Sequence, residues 1–309
     1  MLVPRSESAA MTLGRTIPAI LGLCLCITAP ISTSAILATS AEIAVAHRAR
    51  SLQPGEVVML TVGSRRPLHD VHVSAFGHSF PCFETANPLT WTTLIGIDLD
   101  TKPGRYIVSV KALYADGQAA SVDYPMPVAP KTFATRALTV DEKFVSPPRE
   151  ALARIQQESE KVRAILDSVS PERYWKGPFV LPVPGPPISE FGKRSVYNGQ
   201  PRSPHAGTDF AGATGTPIKA PNAGKIVLAA NLYYSGNTII LDHGRGLYSY
   251  LGHLSAFSTH EGDTVSAGDV VGRVGATGLV TGPHLHWSVR LAGTRVDPLS
   301  LVDVLTPPK

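Results

Sequence analysis

The sequence predicts a mainly β protein: an N-terminal β-sandwich, a linking α-helix and a C-terminal antiparallel, barrel-like β-sheet domain. Three observations predict it. Short runs of strand-forming residues, separated by turn signals, fill the chain from Ala49 to Ala129 and return from Ile188 onward. Glycine and proline, 27 of each, punctuate those runs and favour turns over long helices. Between the two β regions, Leu152, Ile155, Val162, Leu166 and Val169 recur at helical spacing.

Residues 1–46 read as an export signal. Arg15 precedes the apolar run Ile17–Ala29, and small-residue cleavage sites follow at Thr33-Ser34-Ala35 and Ala44-Val45-Ala46, with Met11 as an alternative start. An uncleaved anchor is the other reading, although the run is short for a membrane span. Cys24 and Cys26 each follow a leucine, which argues against lipid modification. Both would leave with the leader. Cys82 then stands alone as a buried strand residue, with no internal disulfide and no cysteine metal site available. The expected location is periplasmic or extracellular, at the cell wall, with membrane contact only if the leader stays.

Residues 47–130 form the sandwich, of immunoglobulin-like type. Glu56–Val62, Val71–Ala75 and Arg105–Leu113 read as strands, with turns at Pro103-Gly104 and Asp116-Gly117. His69, His72 and His78 read as surface or loop residues without a carboxylate at matching spacing. Residues 131–187 are a linker. Ser146 is placed to cap the helix, Pro147 suits its first turn, and Glu150 and Arg154 form an i,i+4 pair. The proline-rich stretch Trp175–Pro187 closes the linker as extended backbone. The helix is a connector lying on one of the domains; as a dimerising coiled coil it would be short, and a monomer is favoured.

Residues 188–309 form the third region, whose turns at Ala223-Gly224, Asp242-His243-Gly244, Glu261-Gly262-Asp263 and Ala267-Gly268-Asp269 fit a compact antiparallel sheet. The hydrophobic fraction of 43% provides a core. A net charge of +4 is mild, and no block of lysine and arginine tracks a phosphate backbone, which argues against nucleic-acid binding.

The chemistry concentrates in this third region. Imidazole and carboxylate are ligands that hold Zn²⁺ and leave a position open for water. In His284–Leu291 the alternation is strict. On a strand, His284, His286, Ser288 and Arg290 share one face and Leu285, Trp287, Val289 and Leu291 the other. The two histidines then stand about 7 Å apart, a strained spacing for two ligands of one tetrahedral ion. His205 and Asp209 would be roughly 13 Å apart on a straight strand, so they can share an ion only if the backbone turns at Gly207. His253, in Tyr248–Ser255, lies near a strand end; His243 and His260 sit in turns and read as surface residues.

Joined to Ser189–Gly192, Gly215–Pro221, Gly236–Gly244, Gly262–Gly268 and the glycine-rich approach Gly275–His286, these motifs resemble the lysostaphin-like, or LytM-type, zinc metallopeptidases from about Pro186 to Val302. The resemblance implies an endopeptidase that cleaves peptide cross-bridges of peptidoglycan with one zinc ion. It implies His205, Asp209 and His286 as ligands, and His253 and His284 as catalytic histidines that do not bind metal. One departure is Trp287-Ser288, where many relatives carry an aromatic residue followed by glutamate. No H-E-x-x-H glutamate is present, so proton transfer falls to His253 and His284, with Tyr197 as a candidate oxyanion donor. The rival reading is a non-catalytic LytM-type activator of another wall hydrolase; retention of all five positions argues against it. A lipoyl-like barrel would explain Glu261–Asp269 but not the histidines. The chain shows no LysM or bacterial SH3 pattern, which points to a D-Ala–diaminopimelate bond over a polyglycine bridge.

Overall fold

The computed structural model describes residues 38–39, 42–140, 142 and 145–307. Most of the export-signal region lies outside them. A cut after Ala46 would halve a folded strand, whereas a cut near Ala35 would spare it.

Nine strands build the sandwich: β1 (Ala38–Thr39), β2 (Ile43–Ala49), β3 (Val57–Ser64), β4 (Leu68–Ala75), β5 (His78–Phe80), β6 (Cys82–Glu84), β7 (Thr90–Gly96), β8 (Gly104–Tyr114) and β9 (Ala119–Val128). One sheet runs β1-β2-β3-β7-β6 and the other β5-β4-β8-β9. Alternation on β8 and β9 buries Val108, Val110, Val122, Tyr124 and Met126 against Val58, Leu60 and Ile95. The first sheet is apolar on both faces. Val57 and Leu94 point away from the sandwich and join the core of the C-terminal region. That is why Val57-Val58-Met59-Leu60 reads as a continuous apolar run instead of an alternating one. Cys82 is buried and free, and burial pushes its thiol up to about 12. His69 and His72 are exposed; His72 Nε2 does find a carboxylate, 3.1 Å away on Asp70.

The linker departs from expectation in three ways. First, α1 (Leu152–Leu166) starts later than the sequence suggests, after a 3₁₀ turn over Arg149–Ala151, with no side-chain cap. The pair Pro147-Pro148 is the reason. A residue before proline is driven out of the helical region, so neither Ser146 nor Pro147 can enter the helix, and Pro148 is itself extended at ψ 149°. Arg154 accordingly pairs forward with Glu158 at 2.6 Å instead of back with Glu150. Second, β10 (Thr135–Leu138) is a strand, lying parallel to β12 (Arg194–Tyr197). Third, the proline-rich boundary is core: Trp175, Phe179 and Val183 are buried within the C-terminal cluster.

The C-terminal region continues with β11 (Pro187–Ser189), β13 (Gln200–Pro201), β14 (Thr208–Ala211), β15 (Pro217–Lys219), β16 (Gly224–Leu232), β17 (Gly236–Gly244), β18 (Leu247–Phe257), β19 (Thr264–Val265), β20 (Val270–Val274), β21 (His284–Leu291), β22 (Thr294–Val296) and α2 (Pro298–Leu305). Its main sheet runs β11-β14-β21-β18-β17-β16-β19. One face of that sheet buries Phe210, Leu285, Trp287, Val289, Leu251 and Leu254. On the other face, α1 packs Leu166, with Val162 and Ile165 beside it, onto Leu228, Ile240 and Tyr248. The connector helix therefore lies on the sheet, as the sequence suggested.

The sandwich meets this region at the far end of β21 from His284. Leu301 and Val304 of α2 and Val296 of β22 pack with Val57 and Leu94. Arg295 binds Asp98 at 2.6 Å and Asp100 at 2.7 Å, and Arg50 bridges Glu56 at 2.9 Å to Asp297 at 2.6 Å. Asp297 also caps α2 by accepting from the backbone N–H of Leu299.

Candidate metal centre

Cross-strand register brings the site together. Strand β14 runs antiparallel to β21 with Asp209 directly opposite His286, and β18 places Gly252 opposite His286 on the other side. Paired residues point to the same face, so Asp209 and His286 project together on the face away from the Trp287 core. His205 precedes β14, and the chain bends at Gly207 before the strand begins at Thr208. That bend is the turn the spacing required.

Three ligand atoms converge. His205 Nε2 lies 3.0 Å from Asp209 Oδ1 and 3.1 Å from His286 Nδ1, and His286 Nδ1 lies 2.9 Å from Asp209 Oδ1. Zinc bound at about 2.0–2.1 Å in a tetrahedron sets its ligand atoms roughly 3.3 Å apart. The donor set and its spacing therefore fit one such ion. His205 Nδ1 donates to the Glu190 carbonyl at 3.0 Å. A carbonyl can only accept, so the proton sits on Nδ1 and the Nε2 lone pair faces the cluster. Burial pushes the Asp209 carboxyl upward, but its interactions with the His205 and His286 imidazoles outweigh it and hold the group well below the usual carboxylate range. Burial also holds the His286 imidazole down, toward the neutral form a metal requires.

Gly207 is needed for closeness. A Cβ there would lie 2.6 Å from both His286 Cε1 and the Trp287 carbonyl oxygen. Gly207→Ala should push β21 and its imidazole aside, weakening zinc binding by about 10–100-fold, the range seen when the support of a metal ligand is lost. Competition with a fluorescent chelator measures this; unchanged affinity would show that the contact is not a constraint.

His284 and His253 flank the three. His284 Nε2 is 3.9 Å from Asp209 Oδ1, and its Nδ1 donates to the Gly282 carbonyl at 2.9 Å. His253 stacks near it with ring centroids 4.8 Å apart, and its Nδ1 donates to the Thr277 carbonyl at 3.0 Å. Simple alternation would send His253 into the core beside Leu251. Instead the β17–β18 register shifts at this point and His253 takes φ +69°, so Leu251 and Leu254 both stay in the core while the imidazole turns to the metal face. A left-handed non-glycine residue costs about 1–3 kcal/mol. Its backbone N–H donates to the Ser235 carbonyl at 2.8 Å, which helps to hold it. Burial pushes the His253 imidazole down to about 4, with His286 adding to the effect.

The cluster opens into a cavity of about 640 Å³ that also touches Tyr197, Tyr250, Ser288 and Arg290. Tyr197 thus lines the cavity. Tyr250, which sequence reasoning passed over, sets its ring edge-on to His286 at 6.3 Å and bonds Ser235 at 2.5 Å; its position opposite Ser288 on β18 was the available signal. His243 is the one histidine misplaced by its turn-like context. It is fully buried, held by the Ala223 carbonyl at 2.8 Å and Ser249 at 2.9 Å, and burial pushes it down to about 4. His260 is exposed as expected.

Residues 203–298 match the model of peptidase family M23. A DD-carboxypeptidase/endopeptidase of Neisseria meningitidis is 42% identical over 97 residues, covering 31% of this chain and 22% of that protein. A peptidoglycan DD-endopeptidase of Vibrio cholerae is 40% identical over 95 residues, again 31% and 22%. Lysostaphin of Staphylococcus staphylolyticus is 44% identical over 85 residues, 27% and 18%. The chain thus matches only about a fifth of the length of these curated relatives. A crystal structure of a Pseudomonas aeruginosa protein assigned to peptidase M23 superposes with TM-score 0.64 at 32% identity, covering 82% of this chain and 95% of that one. A match of that length takes in the sandwich as well as the metal centre. Likeness at this identity over nearly all of a solved structure, with a family match over residues 203–298 that takes in His205, Asp209 and His286, shows that the chain belongs to peptidase family M23.

Proposed function

We propose that this protein is a zinc-dependent endopeptidase that hydrolyses peptide cross-links of bacterial peptidoglycan, at D-Ala–diaminopimelate bonds, outside the cytoplasmic membrane. The observation that carries the reading is the convergence of His205, Asp209 and His286 with two further histidines over an open cavity. The relatives named for DD-endopeptidase activity support the bond assignment.

His205 Nε2, Asp209 Oδ1 and His286 Nδ1 would hold the ion. Bound there, zinc would acidify a water molecule and polarise the scissile carbonyl. The remaining chemistry belongs to the chain. His253 and His284 each commit Nδ1–H to a backbone carbonyl, which leaves Nε2 of both rings as the free, basic nitrogen. Held neutral by its burial, His253 can take the proton shed by the attacking water and return it to the leaving amine as the C–N bond breaks. His284, beside the Asp209 carboxylate, can donate from Nε2 to the carbonyl oxygen as it gains charge once that nitrogen has taken up a proton to make the imidazolium.

Digestion of purified sacculi, one set with direct diaminopimelate cross-links and one with polyglycine bridges, tests the proposal. Mass analysis should show dimeric muropeptides of the first set converted to monomers with a free D-Ala carboxyl. Intact cross-links in both sets with zinc bound would overturn it.

A further inference from the structure

The ligand-bearing face of β21 continues past the metal centre. Ser288 and Arg290 follow His286 on that face, and the cavity runs with them under Val162 and Leu166 of α1. Arg290 lies about 13 Å from His286 along the strand. Its Nη1 is buried and has no hydrogen-bond partner. Among the described residues it makes no ion pair. Asp98 gives both carboxylate oxygens to Arg295, and Asp167 stands exposed at the end of α1. Ser288, its neighbour on that face, carries no charge to offer. Burial, with the nearby Arg295 charge, pushes the Arg290 guanidinium down to about 10, a cation short of a partner. The rest of the cavity has the same bias: Arg136, Lys193 and Arg202 line it, and among the described residues Asp209, already committed to the metal cluster, is its one acid.

We propose that Arg290 is a specificity residue whose guanidinium binds a free carboxylate of the substrate peptide, selecting acidic cross-linked peptides over neutral ones. Nη1, buried and unpartnered, can give a carboxylate oxygen a charge-assisted hydrogen bond. A diaminopimelate-type cross-link carries such carboxylates along the stem peptides that extend from the scissile bond, and a polyglycine bridge carries none. The proposal rests on the reading of the site as a peptidoglycan endopeptidase and names what that site selects.

The test uses the full chain and two cross-linked muropeptide dimers, one with its diaminopimelate carboxyls free and one with them converted to carboxamides. Calorimetry reads binding and mass analysis reads kcat/KM. The free-acid dimer should be favoured by about 10- to 100-fold, the range of a charge-assisted pair. Arg290→Gln should bring that ratio close to one. Ser288→Glu, which keeps the arginine but supplies an internal acid about 7 Å along the same face, should do the same. Equal binding of the two dimers by the unaltered chain overturns the proposal, as does a ratio that survives both substitutions. Selective binding that collapses in both variants, with neither dimer cleaved, upholds Arg290 and sinks the endopeptidase reading instead.

Discussion

Replacing His253 by alanine should leave zinc bound at full stoichiometry and lower turnover by about 10²–10⁴-fold, the contribution of a positioned general base. The ring bonds the Thr277 carbonyl, faces His284 and stands edge-on to His286 with ring centroids 6.1 Å apart, hydrogen-bonding none of the three ligand atoms. Its loss therefore removes a proton carrier and spares the three-atom cluster. His253 is also held in a left-handed backbone conformation that a side chain disfavours. His253→Gly should accordingly be more stable to denaturant than His253→Ala, by about 1–3 kcal/mol, while being equally inactive. Zinc content by emission spectrometry and hydrolysis of muropeptide dimers decide the matter. Normal turnover in His253→Ala would assign proton transfer elsewhere.

The larger loss is expected at Asp209. Its Oδ1 lies against both His205 and His286, so Asp209→Ala removes one ligand and the negative charge between the other two. Zinc affinity should fall by more than the 10–100-fold typical of losing an outer partner, and activity should vanish with the metal. His286→Ala should behave alike. The contrast with His253 is the informative part: two variants inactive without metal and one inactive with it. Retention of zinc by Asp209→Ala would place the ion on a different set of residues.

Much of this was legible in the residues. The strict alternation of His284–Leu291 declared both the face and the core behind it, and Gly207 stood where a bend was needed between His205 and Asp209. His253 was harder. Periodicity assigns it to the core side, and only the register shift against β17 turns it round. Such shifts are set by the partner strand, which a reading of one segment does not contain. The helix start was misjudged because a proline after a serine resembles a first turn, while the second proline forbids it. Trp175, Phe179 and Val183 sat at a regular spacing of four within a proline-rich stretch. Their burial follows from tertiary packing against Phe83 and His243, which local composition conceals.

The boundaries drawn by composition also fail to mark where the molecule could be divided. Val57 and Leu94 complete the packing of Val296 and Leu301, and β10 supplies the neighbour of β12 at the cavity wall. An excised piece starting at Trp175 would carry an uncovered oily flank and lack one wall of the cavity over the metal centre. The metal-centre region is thus not a portable cassette. Sandwich, strap and metal sheet must be inherited, expressed and engineered as one object, and a redesign of the first changes the shape of the last.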